Sequence, residues 1–221
     1  MSYNNCFLPS SEIKTLIESR IISCRKGIRI DEVRIQPSGL DLILGDEAYQ
    51  IGAVFLPNEP EEVDYILKNS RRFKLNEEIL KRNNLYIIPL EEHLRLPRSF
   101  LGTASPKSSI GRTDLFVRLL TSNHGVFDKV PEGYEGRLYV LVIPKSFDTV
   151  AYPGISLNQL KFYVGNPYLD DTELSFALRK YDLLLDDQGR VYNNSDINVD
   201  GGIYLSVKIV DLKVSSFALS Y

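Results

Sequence analysis

The sequence predicts a mainly β protein: an all-β barrel or jelly roll with an N-terminal helix and a short C-terminal extension. Two observations favour this fold class. Between residues 35 and 164, short apolar runs are separated by Gly, Pro and Asn, which is typical of strands joined by turns. Several runs also alternate apolar with other residues, as at Leu40, Leu42 and Leu44. Each such strand is therefore expected to have one buried and one wetter face.

The N-terminal stretch "LPSSEIKTLIESRII" predicts an amphipathic helix. Either Ser10 or Ser11 can serve as its cap, because a serine hydroxyl accepts hydrogen bonds from the first free backbone amides of a helix. Its apolar face is expected to comprise Ile13, Leu16, Ile17 and Ile21.

The strand region that follows has one interruption. In "EPEEVDYILKNSRRFKL" the spacing of Val63, Ile66 and Leu67 is helical, which predicts a surface insertion without obvious chemistry. Clean alternation returns further on, in the run that contains Leu115 and Val117. The strands continue from there to residue 164.

After Gly165 the regular succession of short apolar runs ends, which predicts a β domain at residues 1–165 and an extension at 166–221. The extension should contain a short helix in "DDTELSFALRKY", a polar loop, and a final strand in "IYLSVKIV". It is too short to be a second full domain.

Composition and charge exclude several function classes. The net charge of −3 over 221 residues gives no basic field for a nucleic acid polymer. No apolar run approaches the roughly 20 residues of a membrane span. The only cysteines are Cys6 and Cys24, and no signal segment precedes them. We therefore expect free thiols and a cytoplasmic protein.

The stretch "PKSSIGR", residues 106–112, is the first candidate functional site, and we name it the corner. Successive backbone amides in such a turn can bind an anion; Ser108 and Ser109 add hydroxyl donors, and Lys107 and Arg112 add positive charge. A solvated turn between strands explains the same residues, and no fixed-spacing phosphate motif is present. Nearby, Asp41 in "GLDL" is expected to accept hydrogen bonds from backbone amides at the start of a strand.

Further motifs give the corner a context. "QPSGLDLILG", "PKSSIGR", "HGVFDKVPEGYEGRLYV" and "GISLNQLKF" follow one another in the order and at the intervals of the dCTP deaminase and dUTPase superfamily. The chain most resembles the N-terminal half of bacterial two-unit dCTP deaminases, over residues 8–165. The resemblance implies a distorted jelly roll of the dUTPase type, a homotrimer or pseudo-trimer, and nucleotide sites at the seams between units.

The resemblance also implies a ligand and its contacts. The ligand is a deoxycytidine or deoxyuridine nucleotide, with Mg²⁺ accompanying the triphosphate and no zinc. Lys107, Ser108 and Ser109 match the residues that contact the triphosphate. Ser108 and Arg112 match the catalytic pair that positions the attacked base and its water.

A hairpin at residues 125–136 matches the element that reads the pyrimidine through backbone contacts. Asp128 falls near the aspartate of the dUTPase hairpin and is predicted to contact the nucleotide. No Gly-rich C-terminal arm of the dUTPase kind is present, so a dUTPase is a weaker alternative than a dCTP deaminase.

The sequence departs from the deaminase pattern at one position. The general-base glutamate that activates the attacking water corresponds to Leu141, which cannot accept a proton. Three interpretations follow. The carboxylate comes from another subunit or from a second half beyond Tyr221; the unit is a noncatalytic binding or assembly partner; or Glu135 or Asp128 substitutes.

Zinc chemistry has no support in the sequence. The zinc-dependent deaminases need His-x-Glu and Pro-Cys-x-x-Cys, and neither motif occurs. His93 and His124 lack ligand spacing and are expected to be structural.

Overall fold

The computed structural model of the chain describes residues 5–186, 188–192 and 197–205, except for the side chain of Lys26. The strands are β1 (Cys6–Phe7), β2 (Ile22–Cys24), β3 (Ile35–Gln36), β4 (Gly39–Leu42), β5 (Glu47–Ile51), β6 (Arg71–Lys74), β7 (Leu85–Arg95), β8 (Phe100–Pro106), β9 (Leu115–Thr121), β10 (Lys129–Val130), β11 (Glu135–Pro144) and β12 (Asn158–Val164). The helices are α1 (Ser10–Glu18), α2 (Pro60–Lys68), α3 (Ser108–Gly111) and α4 (Asp171–Tyr181), with 3-10 turns at Arg25–Gly27 and Glu32–Arg34.

The strands form two antiparallel sheets of six. The first sheet has the order β10-β8-β12-β4-β3, with β1 also paired to β12. The second has the order β6-β5-β7-β11-β9, with β2 also paired to β7. A single apolar core draws side chains from both, such as Leu40 and Phe162 from the first and Ile88 and Val140 from the second. The prediction of a mainly β fold is confirmed, and the paired sheets fit a distorted barrel or jelly roll.

Alternation holds in β9 and fails in β4. In β9, Leu115, Val117 and Leu119 are buried in the core while Phe116 is 39% exposed. In β4 every residue is buried, including Asp41. The expected wetter face of β4 is therefore wrong: Asp41 lies there buried, in contact with the side chains of Lys107 and Gln36.

The N-terminal helix forms where the sequence predicts it, but its cap differs. The N-cap residue is Pro9 and no side chain caps the helix, so Ser10 and Ser11 lie inside the first turn. Ile13 and Leu16 are buried against the core as predicted. The helix ends at Glu18, short of Ile21, which still packs on the core as a partly buried side chain.

Helix α2 confirms the predicted helical insertion and has a packing role. Val63 is buried, and Ile66 and Leu67 pack with it in a second apolar cluster. Tyr139 and Leu141 of β11 belong to the same cluster, so α2 covers the outer face of the second sheet.

The described residues through Asn166 form one compact unit, and those from Pro167 onward form a second. In the second unit α4 begins with a capping box between Asp170 and Glu173, as expected of a helix in this stretch. Most of the predicted final strand, residues 206–210, lies outside the described residues. The predicted domain division at residue 165 stays a prediction.

Candidate active site corner

The stretch "PKSSIGR" forms a tight turn at the end of β8. Lys107 donates its backbone N–H to the carbonyl of Leu157 at 3.0 Å, which ties the turn to the start of β12. The backbone N–H groups of Ile110 and Gly111 then return to the carbonyl of Lys107, at 2.8 and 3.2 Å. This anchoring fixes the direction of α3, whose first amides and hydroxyls face outward.

Ser108, Ser109 and Arg112 are exposed in this turn. Within the described part of the chain, neither hydroxyl and no guanidinium nitrogen of these residues has a hydrogen-bond or ion-pair partner. The same holds for the backbone N–H groups of Ser108 and Ser109. These donors are therefore available to a ligand without breaking an existing contact.

Lys107 is the one predicted phosphate contact that already has a partner. Its ammonium lies 2.5 Å from Oδ2 of Asp41, and the Lys107 side chain is 33% exposed while that of Asp41 is 9% exposed. Asp41 also accepts a long contact from the side-chain amide of Gln36 at 3.4 Å. The expectation that Asp41 binds backbone amides is wrong: its partners are the side chains of Lys107 and Gln36, and the nearby backbone N–H of Ile43 donates to the carboxylate of Glu92.

Asn158 is a polar residue beside the corner that sequence reasoning missed. It lies opposite Pro106 in the β12–β8 pair and is 1% exposed. Both polar atoms of its side-chain amide lack a hydrogen-bond partner within the described residues. A polar residue at a core position of "SLNQL" was the available signal.

Residues 125–136, the predicted hairpin, are joined to the strand that carries the corner: their strand β10 pairs with β8 and not with β9 or β11. Val130 of β10 pairs with Gly102 of β8. At the base, the buried hydroxyl of Tyr134 accepts a hydrogen bond from the backbone N–H of Ser122 at 3.1 Å and donates one to the carbonyl of Arg137. Burial raises the pKa of Tyr134, and the Ser122 hydrogen bonds act against that shift. The hairpin base is therefore held by a neutral phenol.

Gly136 belongs to this arrangement. Its φ is 154°, and a Cβ there would lie 2.9 Å from the Tyr134 hydroxyl oxygen. The position therefore has no room for a side chain next to the phenol.

Asp128 is buried at the start of the hairpin. Its Oδ1 accepts a hydrogen bond from the backbone N–H of Leu119 at 2.8 Å, and its Oδ2 lies 2.6 Å from a guanidinium nitrogen of Arg118. Its backbone carbonyl accepts a hydrogen bond from Ala104 at 2.9 Å. The residue thus fastens the hairpin to β8 and β9, and its predicted contact with a nucleotide stays a prediction.

Leu141 lies in the middle of β11, opposite Ile87 on one side and Arg118 on the other. It is 1% exposed and belongs to the apolar cluster under α2. Carboxylates do not reach it along its own strand: Glu135 is six residues away, about 20 Å at the usual rise per strand residue. The Glu135 carboxylate is exposed and pairs with Arg95 at 3.2 Å.

Within the described residues, no group of three or more His, Cys, Asp or Glu side chains could hold a metal ion. Asp41, the carboxylate that forms an ion pair with the corner, is engaged by Lys107. The corner thus offers cations and hydroxyls, which suit phosphate oxygens better than a bare cation. No helix among the described residues has the length and apolarity needed to cross a membrane.

Known proteins resemble the chain over the first unit. The family model described as the 2'-deoxycytidine 5'-triphosphate deaminase (DCD) N-terminal domain matches residues 4–166. A solved structure of 2'-deoxycytidine 5'-triphosphate deaminase from Agrobacterium tumefaciens is similar with a TM-score of 0.75 and 33% identity, over 82% of this chain and 54% of that one. The chain therefore spans about half the length of that protein.

Two curated proteins show the same likeness. A dCTP deaminase of Pyrobaculum islandicum is 26% identical over 65% of this chain and 75% of its own length. A dUMP-forming dCTP deaminase of Persephonella marina is 27% identical over 70% of this chain and 82% of its own length.

Proposed function

Since the chain belongs to the family of 2'-deoxycytidine 5'-triphosphate deaminase N-terminal domains, we propose that it is a dCTP deaminase-type unit whose water-activating carboxylate comes from another unit. The observation that carries the proposal is the contrast between an open corner of unpaired donors and a leucine that is 1% exposed at the expected general-base position.

The corner supplies the binding chemistry. The hydroxyl and backbone N–H donors of Ser108 and Ser109 are open to phosphate oxygens, and Lys107, held by Asp41, adds positive charge beside them. Mg²⁺ would arrive with the triphosphate as part of the substrate, held by phosphate oxygens. Arg112 and Ser108 sit one helical turn apart and are assigned to the base and its water.

The reaction that this arrangement serves is hydrolytic deamination. A water molecule gives up a proton to a carboxylate and adds to C4 of the cytosine ring. The carboxylic acid passes that proton on to N4, the C4–N4 bond breaks, and ammonia leaves. The proton of the added hydroxyl then moves to N3, which gives uracil. In this chain Ser108 and Arg112 orient the reacting groups, and the hairpin backbone holds the pyrimidine.

The assembly follows from the missing carboxylate. We propose a homotrimer or pseudo-trimer in which the corner of one unit faces the hairpin of the next, so that a neighbour can complete the site. The deoxycytidine nucleotide is the proposed small-molecule partner, with no nucleic acid polymer or membrane. The two free thiols, Cys6 and Cys24, support a cytoplasmic location.

Ammonia release from dCTP tests the proposal. The chain is first brought to a concentration at which sedimentation shows an oligomer, and ammonia and dUTP are then measured with and without a co-expressed catalytic unit. We expect dCTP binding by the chain alone and turnover only in the presence of a carboxylate donor. A monomer that binds no dCTP would contradict the proposal.

The burial of Leu141 supports a second candidate, a noncatalytic binding or assembly partner. Leu141 packs in an apolar cluster with Val63 of α2, and such packing is compatible with a unit that transfers no proton at this position. The two candidates differ in one measurement: mixed oligomers in which only this chain carries Arg112→Ala lose turnover if its corner serves a site, and keep it if the chain only supports assembly.

A further inference from the structure

A second basic feature is built on the other sheet, from residues that the corner does not use. A groove of about 760 Å³ is formed where the end of α1, strand β2 with the following 3-10 turn, and the end of β7 meet. Its floor is apolar, with Ile22 and Ile30 buried and Ile28 42% exposed. Its cationic lining comprises Arg20, Arg25, Arg29 and Arg95 together with His93. No aspartate or glutamate lines it among the described residues.

Most of this positive charge is not neutralised. Within the described part of the chain, the side chains of Arg20, Arg25 and Arg29 have no ion-pair or hydrogen-bond partner. Arg95 contacts Glu135 at 3.2 Å, but both side chains are about two-thirds exposed, at 67% and 69%. A chain with a net charge of −3 therefore concentrates unpaired arginines in one concave place.

The carboxylates nearest to Arg29 in the chain are already occupied. Asp31 accepts a hydrogen bond from the backbone N–H of Val33 at 3.3 Å. Glu32 pairs with Lys14 at 3.3 Å. Asp31 and Glu32 line a neighbouring cavity with Arg29, but neither forms an ion pair with it within the described residues. Glu135 beside Arg95 is the acidic partner of the groove's arginines in that part of the chain.

His93 reports the electrostatics of the groove. Burial lowers the pKa of its imidazole, and the positive charges of Arg95 and Arg137 lower it further, while Glu135 acts in the opposite direction. A bound anion would oppose the effect of the arginines and raise this pKa.

We propose that this groove is a second anion site, which binds the phosphate groups of a nucleotide-sized organic phosphate. Guanidinium groups donate paired hydrogen bonds to phosphate oxygens, and several of them around one concave site suit a diphosphate or triphosphate. The exposed face of Ile28 offers a contact for the organic part, and the volume lies in the usual range of small-molecule sites.

The groove shares no lining residue with the corner, and its assignment does not rest on the proposed function. The corner follows β8 in the first sheet, whereas the groove is built on β2 and β7 of the second. A failure of dCTP turnover would therefore leave this proposal standing.

The experiment measures the pKa of His93 by NMR, with and without inorganic pyrophosphate. The protein has two histidines, so the spectrum of His124→Gln assigns the signals. We expect pyrophosphate to raise the His93 pKa in the unaltered chain. In the double variant Arg25→Met/Arg29→Met we expect about tenfold weaker pyrophosphate binding and a correspondingly smaller shift.

Two controls make the result specific. Arg72→Met/Arg82→Met removes the same charge from exposed positions elsewhere and should bind pyrophosphate normally. Ser108→Ala/Arg112→Met disables the corner and should leave the His93 shift intact. Three results would each overturn the proposal. The first is a His93 pKa that pyrophosphate leaves unchanged, and the second is an equal loss of pyrophosphate affinity in the two arginine double variants. The third is loss of the pyrophosphate-induced shift in Ser108→Ala/Arg112→Met.

The class of ligand is tested with the same signal. A deoxynucleoside diphosphate should bind more tightly than pyrophosphate, and Ile28→Ser should remove that advantage. If a short single-stranded oligonucleotide shifts His93 at lower concentrations than the diphosphate does, the groove serves a polymer and the small-molecule assignment is wrong.

Discussion

The corner that follows β8 and the outer face of β11 differ in almost every physical respect. At the corner, Ser108, Ser109 and Arg112 are exposed and unpaired within the described residues. On β11, Leu141 is 1% exposed and packed under α2. In an exposed turn, unpaired donors remain hydrated and cost little, whereas a buried position tolerates only apolar groups or fully paired polar ones.

This difference separates two duties that a hydrolytic site must combine. Binding a polyphosphate needs hydrogen-bond donors whose bound water can be displaced, and the exposed donors of the corner are of this kind. Activating water needs a proton acceptor, whereas Leu141 on β11 is an apolar side chain packed in a cluster. The proposed function accordingly assigns nucleotide binding to the corner and no proton transfer to Leu141, which has no group that accepts a proton.

The substitution Leu141→Glu should have the largest effect. Burying a carboxylate in this cluster should lower the free energy of unfolding by about 3 kcal/mol or more at neutral pH. Burial raises the pKa of a carboxyl, so the loss should be smallest at acidic pH and grow as the pH rises above the ordinary glutamate range. Urea unfolding at several pH values measures this.

Leu141→Met is the matched control, because a swap of similar volume costs less than about 1.5 kcal/mol. A Leu141→Glu variant with unaltered stability and new dCTP turnover would show that the cluster is an otherwise assembled catalytic site. The contrast between the two regions would then disappear.

Lys107→Met should have the next largest effect, because Lys107 is part of the exposed corner and also pairs with a buried carboxylate, that of Asp41. Its removal leaves the buried carboxylate of Asp41 unpaired and should cost about 1–3 kcal/mol. Nucleotide affinity should fall as well. Thermal unfolding and dCTP titration measure the two losses separately.

The double variant Lys107→Met/Asp41→Asn distinguishes the two duties of the lysine. It should recover most of the stability and none of the affinity. Recovery of both would mean that Lys107 only neutralises Asp41 and makes no phosphate contact.

Arg112→Lys should weaken nucleotide binding or turnover more than Lys107→Arg does. A planar guanidinium can donate two parallel hydrogen bonds that an ammonium cannot reproduce, whereas Lys107→Arg keeps charge at a phosphate contact. Arg112→Lys should change the free energy of unfolding by no more than about 0.5 kcal/mol, since the Arg112 side chain is exposed. Equal dCTP affinities in both variants would contradict the role given to Arg112.

Ser109→Ala should have the smallest effect. The hydroxyl makes no contact with the described residues, so stability should stay within about 0.5 kcal/mol of the unaltered chain. Loss of one hydrogen bond from a neutral hydroxyl to a charged phosphate oxygen should weaken dCTP binding about tenfold. Ser11→Ala, in the first turn of α1, is a control that should change neither quantity.

Local pattern predicted those elements whose surroundings are simple. The β9 alternation places Val117 in the core because one face of that strand meets the opposite sheet. The exposed serines of the corner also followed from a turn sequence. The helical spacing around Val63 predicted α2 itself but not the β11 face it covers, because that contact joins distant parts of the chain.

The contacts that the sequence could not predict depend on pairing across the sheets. Lys107 and Asp41 are 66 residues apart and meet because β4 and β8 both flank β12. Asp41 on the polar side of β4 is buried, against the alternation rule, with Lys107 and Gln36 as its side-chain partners. The cap of α1 differs for a local reason: Pro9 already has the extended backbone that a cap position needs.

The place of β12 in the first sheet has a consequence for how the chain is made. β12 is hydrogen-bonded to β8 and β4, and its far end pairs Val164 with Cys6. A growing chain therefore carries strands from its first residues onward that wait for a partner almost 160 positions later. Contacts of such long sequence separation slow folding, and until they form the waiting edges are open to association with other chains. Translation speed and chaperone supply should accordingly affect the yield of this protein more than its final stability suggests.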